Sequence, residues 1–91
     1  PGMRRDLSLV VDTAVTFEAL MQVVKTVKAP LLQDVRVFDV FEGKPLESGK
    51  KAVALSFQFL NAEATLTESD VDGKMQAFMK AFEAAGAIIR K

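Results

Sequence analysis

Two runs of strand-forming residues, joined by one polar connection, constrain the fold of the whole chain. The runs lie over residues 35–43 and 51–59, and both are rich in β-branched and aromatic side chains, which favour strands. The connection over residues 42–50 is polar and contains glycine and proline. This arrangement predicts two antiparallel strands joined by a long hairpin loop.

Alternation along this hairpin separates its side chains onto two faces. In the second strand, the apolar set is Val53, Leu55, Phe57 and Phe59, and the small or polar set is Ala52, Ala54, Ser56 and Gln58. The same period in the first strand places Phe38 and Val40 on the apolar face. It places Val37, Asp39 and Phe41 on the opposite face, where we expect any function of the domain to lie.

A strand and a helix are predicted before the hairpin. Residues 4–11 alternate between polar and apolar side chains, as in a strand with one buried face. The apolar residues that follow recur at helical spacing; they are Phe17, Leu20, Met21, Val24 and Val27. Thr16 is the predicted N-cap of this helix, and Pro30 is predicted to stop it because proline has no backbone N–H.

A second helix and a last strand are predicted after the hairpin. Residues 67–70 resemble a capping box in which Asp70 replaces the usual Glu or Gln. The apolar stripe of this helix consists of Val71, Met75, Phe78 and Phe82. Gly86 is placed to end the helix in the left-handed conformation, and residues 87–91 follow as a short strand.

The predicted element order is therefore βαββαβ, within a single domain over residues 1–91. Each helix has one apolar stripe and each strand needs one covered face, so both helices are predicted to pack on the same side of the sheet. The fold class is α+β, a ferredoxin-like sandwich with a four-stranded antiparallel sheet and two helices on one face. The other face of the sheet stays open.

Composition excludes several kinds of chemistry. The chain has no cysteine and no histidine, which removes thiolate nucleophiles, zinc ligands of these types and an imidazole base. Its 12 basic and 12 acidic residues balance, so RNA binding gains no support from net charge. No apolar run is long enough to span a membrane. The absence of cysteine fits a cytoplasmic protein, and we expect this chain, which opens with Pro1-Gly2, to be a piece of a longer one.

Two candidate catalytic motifs are rejected. Residues 43–51 resemble a phosphate-binding loop only superficially, because five residues separate Gly43 from Gly49 and a strand follows instead of a helix. Asp6 and Asp39 are the acidic residues placed on the open face. Two surface carboxylates without a cleft do not indicate acid–base catalysis.

Phe41 differs from the other phenylalanines of the chain. The others are predicted in the core, and they are Phe17, Phe38, Phe57, Phe59, Phe78 and Phe82. Phe41 is predicted beside Asp39 on the open face, where an aromatic ring stacks on bases in other open-sheet RNA-binding domains. An aromatic residue that covers a sheet edge would give the same pattern, and alternation leaves both interpretations open.

Several segments together resemble a known family. They are Arg5-Asp6-Leu7-Ser8-Leu9-Val10-Val11, Leu31-Leu32, Phe38-Asp39-Val40-Phe41-Glu42-Gly43, Gly49-Lys50-Lys51, Thr65-Leu66-Thr67 and Gly86-Ala87. In this order, and over essentially the whole chain, they are similar to the ferredoxin-fold anticodon-binding domain that closes the β subunit of bacterial phenylalanyl-tRNA synthetase.

The resemblance implies a tRNA-binding module. The open face of the sheet would meet the anticodon bases of phenylalanine tRNA, and the parent enzyme, a phenylalanine–tRNA ligase, would charge that tRNA with ATP and magnesium. Catalysis belongs to the α subunit of that enzyme, so this domain is expected to be inert alone, with no cofactor or metal of its own. Its expected partners are the anticodon stem-loop, the α subunit and the remaining β-subunit domains, and not a membrane.

The resemblance also implies roles for single residues. Asp39 is expected to accept a hydrogen bond from a base edge, and Phe41 to stack where the family commonly has tyrosine. Ala52 stands where the family often has serine, and Ala64 where it often has a basic residue, so those contacts are expected to be weaker here. The predicted RNA-binding residues are Ser8, Asp39, Phe41, Ala52, Ala54, Val37, Arg5 and Lys51.

Two other functions compete with RNA binding. A protein-interaction or small-ligand regulatory domain of the same topology would use a glycine-containing turn after the first strand, and residues 12–15 contain no glycine. A free-standing enzyme would need a nucleophile and a base, and the sequence offers no plausible pair. The family resemblance favours RNA binding, with the protein-interaction or small-ligand regulatory domain as the alternative.

Overall fold

The computed structural model describes residues 2–90, and its elements follow in the order βαββαβ. They are β1 (Met3–Asp12), α1 (Phe17–Lys25), β2 (Leu32–Glu42), β3 (Lys50–Phe59), α2 (Glu68–Ala84) and β4 (Ile88–Arg90). The predicted order is confirmed. Lys91, which the sequence placed in the last strand, lies outside the described residues, as does Pro1.

The four strands form one antiparallel sheet in the order β2-β3-β1-β4. Both helices supply buried side chains to a single core on one side of this sheet. These side chains are Leu20 and Val24 from α1, and Val71, Met75, Phe78 and Phe82 from α2. The predicted α+β, ferredoxin-like sandwich is therefore confirmed.

The centre of the core lies between the two middle strands and α2. Leu9 of β1 and Leu55 and Phe57 of β3 are fully buried. The ring centroid of Phe57 lies 5.0 Å from that of Phe78, and the rings are tilted by 34°. Aromatic pairs at this separation add to the free energy gained by burying the rings.

Two phenylalanines assigned to the core are instead exposed. Phe57, Phe59, Phe78 and Phe82 are buried as predicted. Phe17 and Phe38 are 43% and 52% exposed, so their predicted place in the core is wrong. Phe17 lies in the first turn of α1 beside Val37 and Val40, which are themselves exposed. Phe38 is exposed because the regular pairing of β2 with β3 is interrupted at this residue.

That irregularity is a bulge, and it changes which side chains of β2 face the core. Val37 lies opposite Leu55 and Asp39 lies opposite Ala54, so Phe38 is an extra residue between them. Such an insertion shifts the phase of the alternation by one residue. Val37 therefore faces the helix side, and its predicted place on the open face is wrong. Asp39 and Phe41 share a face with Ala54 and Ala52, as predicted. Val40 lies on the helix side, as predicted, but it is 51% exposed and does not join the core.

Threonine side chains begin both helices, as predicted. Thr16 Oγ1 accepts a hydrogen bond from the N–H of Ala19 at 3.1 Å, and Thr67 Oγ1 accepts one from the N–H of Asp70 at 3.1 Å. Each bond satisfies a backbone donor that has no partner within its helix. Gly86 follows α2 with φ +98°, the left-handed conformation predicted for the end of this helix.

The first helix is shorter than predicted. It ends at Lys25, and Thr26 caps it with a hydrogen bond from Thr26 Oγ1 to the carbonyl of Val23 at 2.6 Å. Val27 thus lies beyond the helix, although it packs against the core. Pro30 stands further along the connection and is not the residue that ends the helix.

Phe57→Ala is expected to destabilise the fold severely. Truncation of a fully buried phenylalanine costs about 3–5 kcal/mol, because it leaves a cavity. The matched control is Phe41→Ala, which removes a ring that is 41% exposed. Urea unfolding followed by circular dichroism should show a large loss of stability for Phe57→Ala only, and equal losses would contradict the assignment of the two faces.

Thr67→Ala is expected to lower the free energy of unfolding by about 1 kcal/mol, because the N-cap hydrogen bond is lost. Thr65→Ala is the control, since Thr65 is an exposed residue of the connection before α2. The measurement is the urea midpoint of each variant. If Thr65→Ala loses as much stability as Thr67→Ala, the cap is not the cause.

Candidate nucleic-acid interface

The face of the sheet opposite the helices has a floor of small side chains. Ser8 on β1 lies opposite Ala54 on β3, and both are half-buried. Ala52, the next residue on this face of β3, is only 5% exposed, because it lies between Val10 on β1 and Phe41 on β2. The accessible floor is therefore centred on Ser8 and Ala54, where a flat ligand can approach the backbone closely.

Asp39 and Phe41 border this floor on β2. The strand register places Asp39 next to Ala54 and Phe41 next to Ala52. Both side chains are exposed. Asp39 forms no ion pair with any other residue between 2 and 90, so its carboxylate oxygens are available as hydrogen-bond acceptors for a ligand.

The other aspartates of this face are paired with basic residues. The pairs are Arg4–Asp6, Arg36–Asp34 and Lys50–Asp12. Lys50 Nζ donates to Asp12 Oδ1 at 2.7 Å, and this hydrogen bond, together with the charge of Asp12, raises the pKa of Lys50 above its ordinary value. Within the described residues, Asp39 is therefore the aspartate of this face whose charge is not neutralised by a neighbour.

Comparison with known proteins places this chain in a family. The model of the ferredoxin-fold anticodon binding domain matches residues 1–90. The chain belongs to this family. The resemblance drawn from the sequence is confirmed.

Relatives of this anticodon-binding domain are phenylalanine–tRNA ligase beta subunits. That of Bacillus licheniformis is 47% identical over 83 residues, which cover 91% of this chain and 10% of the relative. That of Listeria monocytogenes is 42% identical over 91 residues, 99% of this chain and 11% of the relative. That of Chromobacterium violaceum is 40% identical over 88 residues, 97% and 11%. The chain thus spans about a tenth of the length of the curated relatives it matches.

Three predicted binding residues of the domain lie on its helix side and not on the open face. Alternation along β1 and β3 turns Arg5 and Lys51 away from the floor. Arg5 Nε lies 3.2 Å from Asp72 Oδ1 on α2, and Lys51 Nζ donates to the carbonyl of Val15 at 2.7 Å. Val37 is turned to the same side by the bulge. We therefore remove these three residues from the candidate site, because their side chains lie on the other side of the sheet.

Phe38 and Arg4 are residues of the open face that sequence reasoning missed. The bulge leaves Phe38 exposed on this face, and the guanidinium carbon of Arg4 lies 5.1 Å from its ring centroid. This is the range of a cation–π interaction. The sequence contains one sign of this bulge: Val35 and Val37 are two residues apart, whereas Val37 and Val40 are three residues apart.

The described residues do not fit a metal or nucleotide site. No group of three or more acidic, histidine or cysteine side chains within residues 2–90 is placed to hold a metal ion. The loop over residues 43–49 leads into strand β3, so no helix N-terminus follows it to bind phosphate groups. In the same part of the chain, no helix is long and apolar enough to cross a membrane.

Phe38→Leu is expected to change the side-chain NMR signals of Arg4. The ring current of Phe38 acts on a guanidinium 5.1 Å away, and leucine has no ring current. The Nε–H resonance of Arg4 should therefore shift, while that of Arg5, on the opposite side of the sheet, should not. Phe17→Leu is the matched control. An Arg4 resonance that does not respond to Phe38→Leu would contradict the position assigned to Phe38.

Proposed function

We propose that this domain recognises the anticodon arm of phenylalanine tRNA through the open face of its sheet, as one domain of a phenylalanine–tRNA ligase beta subunit. The observation that carries the proposal is the combination of an unpaired carboxylate, Asp39, with an exposed ring, Phe41, beside a floor of small side chains. Membership of the family and the beta-subunit relatives support RNA as the ligand.

Asp39 supplies selection between bases. An ionised carboxylate accepts hydrogen bonds and donates none. It therefore favours a base edge that presents N–H donors and disfavours an edge that presents a carbonyl oxygen in the same place. Because no basic side chain of the described residues neutralises it, a base can reach it without first breaking an ion pair.

Phe41 supplies stacking. The residue lies next to Ala52, which is 5% exposed, and is itself 41% exposed. A ring on a flat floor with accessible surface above it is suited to stack on an unpaired base, and such a contact contributes about 1–3 kcal/mol. This supports the stacking interpretation over a ring that only covers a sheet edge. Phenylalanine has no hydroxyl group, so stacking is its whole contribution.

Charge contributes little to binding on this face. The basic residues Arg4, Arg36 and Lys50 are each engaged with an aspartate, and the net charge of the chain is zero. A phosphate group would have to compete with these pairs. We therefore expect shape and hydrogen bonds to base edges, more than release of counterions, to supply the affinity.

The catalytic steps belong to the rest of the proposed parent enzyme. The α subunit and the remaining β-subunit domains would charge the tRNA with ATP and magnesium in the cytoplasm, while this domain holds the anticodon arm. The support for this division is that the relatives are whole beta subunits, of which the chain matches 10–11%. The domain alone is expected to have no enzymatic activity.

A protein-interaction or small-ligand regulatory domain of the same topology is the alternative function. It would bind its ligand in the turn between β1 and α1. That turn is engaged in contacts of its own: the N–H of Val15 donates to the carbonyl of Asp12 at 3.0 Å, and the N–H of Thr13 donates to the carbonyl of Gly49 at 2.9 Å. Thr16 caps α1. These contacts support RNA binding over the alternative.

The test is an NMR titration of the 91-residue chain with an anticodon stem-loop of phenylalanine tRNA at low salt. Amide shifts concentrated at the open face would support the proposal, and the residues concerned are Ser8, Asp39, Phe41, Ala52 and Ala54. Shifts confined to the helices or to residues 43–49, or no shifts at all, would overturn it. A stem-loop with a scrambled loop sequence is the control for specificity.

Asp39→Ala is expected to weaken binding of this stem-loop roughly tenfold or more, because a hydrogen bond to a charged group contributes about 1.5–3 kcal/mol. The urea midpoint should hardly change, since the side chain is exposed. Asp72→Ala is the matched control, because it removes an exposed carboxylate on the helix side. Equal losses of affinity in both variants would indicate an effect of net charge and not of a contact at Asp39.

A further inference from the structure

The open face carries a second aromatic residue for which the proposed function has no use. Phe38 is 52% exposed, and the guanidinium carbon of Arg4 lies 5.1 Å from its ring centroid. Phe38 belongs to β2 and Arg4 to β1, and β3 lies between these strands in the sheet. The Arg4 side chain therefore extends across the face to reach the ring.

Arg4 also forms hydrogen bonds to Asp6 on its own strand. Its Nε donates to Asp6 Oδ1 at 2.8 Å, and its Nη2 donates to Asp6 Oδ2 at 3.4 Å. Two contacts from one guanidinium to one carboxylate set the orientation of its plane. Even so, the Arg4 side chain remains 51% exposed. It thus presents accessible planar surface in an orientation that a ligand would not have to order on binding.

Phe38 lies three residues before Phe41 on the same strand, β2. Phe38 immediately precedes Asp39, which is opposite Ala54, and Phe41 is opposite Ala52. Because the bulge places Val37 and Asp39 opposite consecutive residues of β3, Phe38 and Phe41 are separated along the strand by about 7–10 Å, a distance that neighbouring nucleotides of an unstacked single strand can span. One RNA segment can therefore place adjacent bases at Phe41 and at the Arg4–Phe38 pair, with Asp39 between them.

We propose that Arg4 and Phe38 form a second base-stacking position, in which a nucleobase adjacent to the one at Phe41 lies against the exposed surface of the Arg4 guanidinium. The inference rests on the proposed function, since it concerns the same RNA. Guanidinium planes and aromatic rings both stack on unpaired bases. Every base has a planar surface, so this position adds affinity for any base, whereas Asp39 discriminates between base edges.

Two substitutions and two matched controls test the position. Arg4→Lys keeps the charge and removes the planar guanidinium, and Phe38→Leu removes the ring. Arg5→Lys and Phe17→Leu make the same changes on the helix side of the sheet. The probe is the phenylalanine anticodon stem-loop with 2-aminopurine at one loop position at a time, since the fluorescence of this base falls when it stacks. The chain has no tryptophan or tyrosine that would interfere.

Arg4→Lys and Phe38→Leu are each expected to weaken binding roughly five- to a hundredfold, the range for the loss of one stacked base. The controls should bind like the unsubstituted chain. The double variant should bind about as well as the weaker single variant, because the two side chains act as one unit. In the unsubstituted complex, 2-aminopurine should be quenched at two neighbouring loop positions, and Phe38→Leu should restore its fluorescence at one of them.

Three results would overturn the inference. If Arg4→Lys and Phe38→Leu bind normally while Phe41→Leu and Asp39→Ala bind weakly, the proposed function stands and the second position does not exist. If Arg4→Lys binds more tightly, Arg4 blocks the ring instead of carrying a base. If the unsubstituted chain does not bind the stem-loop, the proposed function and this inference fail together. Urea midpoints establish that each variant is folded.

Discussion

Pairing of β1 with β3 in the middle of the sheet is the constraint on which the rest of the structure depends. The register sets Leu7 opposite Leu55 on the buried side, and it sets Ser8 opposite Ala54 on the open side. Because side chains alternate with a period of two, a slip of one residue would exchange the two faces. Burial of the apolar set therefore also determines the floor of the candidate site. The core and the surface proposed to meet RNA are two consequences of one strand register.

The edge strand β2 departs from strict alternation, and the candidate site depends on that departure. Its register shifts between Leu32 and Asp34 and again between Val37 and Asp39. Bulges in an edge strand discourage pairing with other chains and redirect side chains. Here the second bulge keeps Val37 on the helix side and brings Phe38 to the open face. The candidate site thus combines small side chains from the regularly paired centre of the sheet with exposed side chains from its less regular edge.

The 12 basic and 12 acidic residues of this domain cancel in net charge. The electrostatic character of each surface therefore depends on which charged residues are paired there. Exposed ion pairs such as Arg4–Asp6 contribute little to stability. Their effect on the open face is local: they neutralise the aspartates around Asp39, and they orient Arg4 over the Phe38 ring. A surface of this kind is suited to recognise bases by edge and stacking, and it is poorly suited to attract phosphate over a distance.

The sequence by itself determined the element order, the caps at Thr16 and Thr67, the buried faces of β1 and β3, and the family. These features depend on local hydrogen bonds and on periodicity, which residues close together in the chain reveal. Only the tertiary structure decided which face Phe38 occupies: the interrupted spacing of the β2 valines indicates an irregularity, but the pairing with β3 shows which residue is the extra one. The same holds for Arg5, which meets Asp72 at a separation of 67 positions, and for Lys51, which meets Val15 at a separation of 36. Such contacts exist only after the packing of helices on the sheet has brought distant segments together.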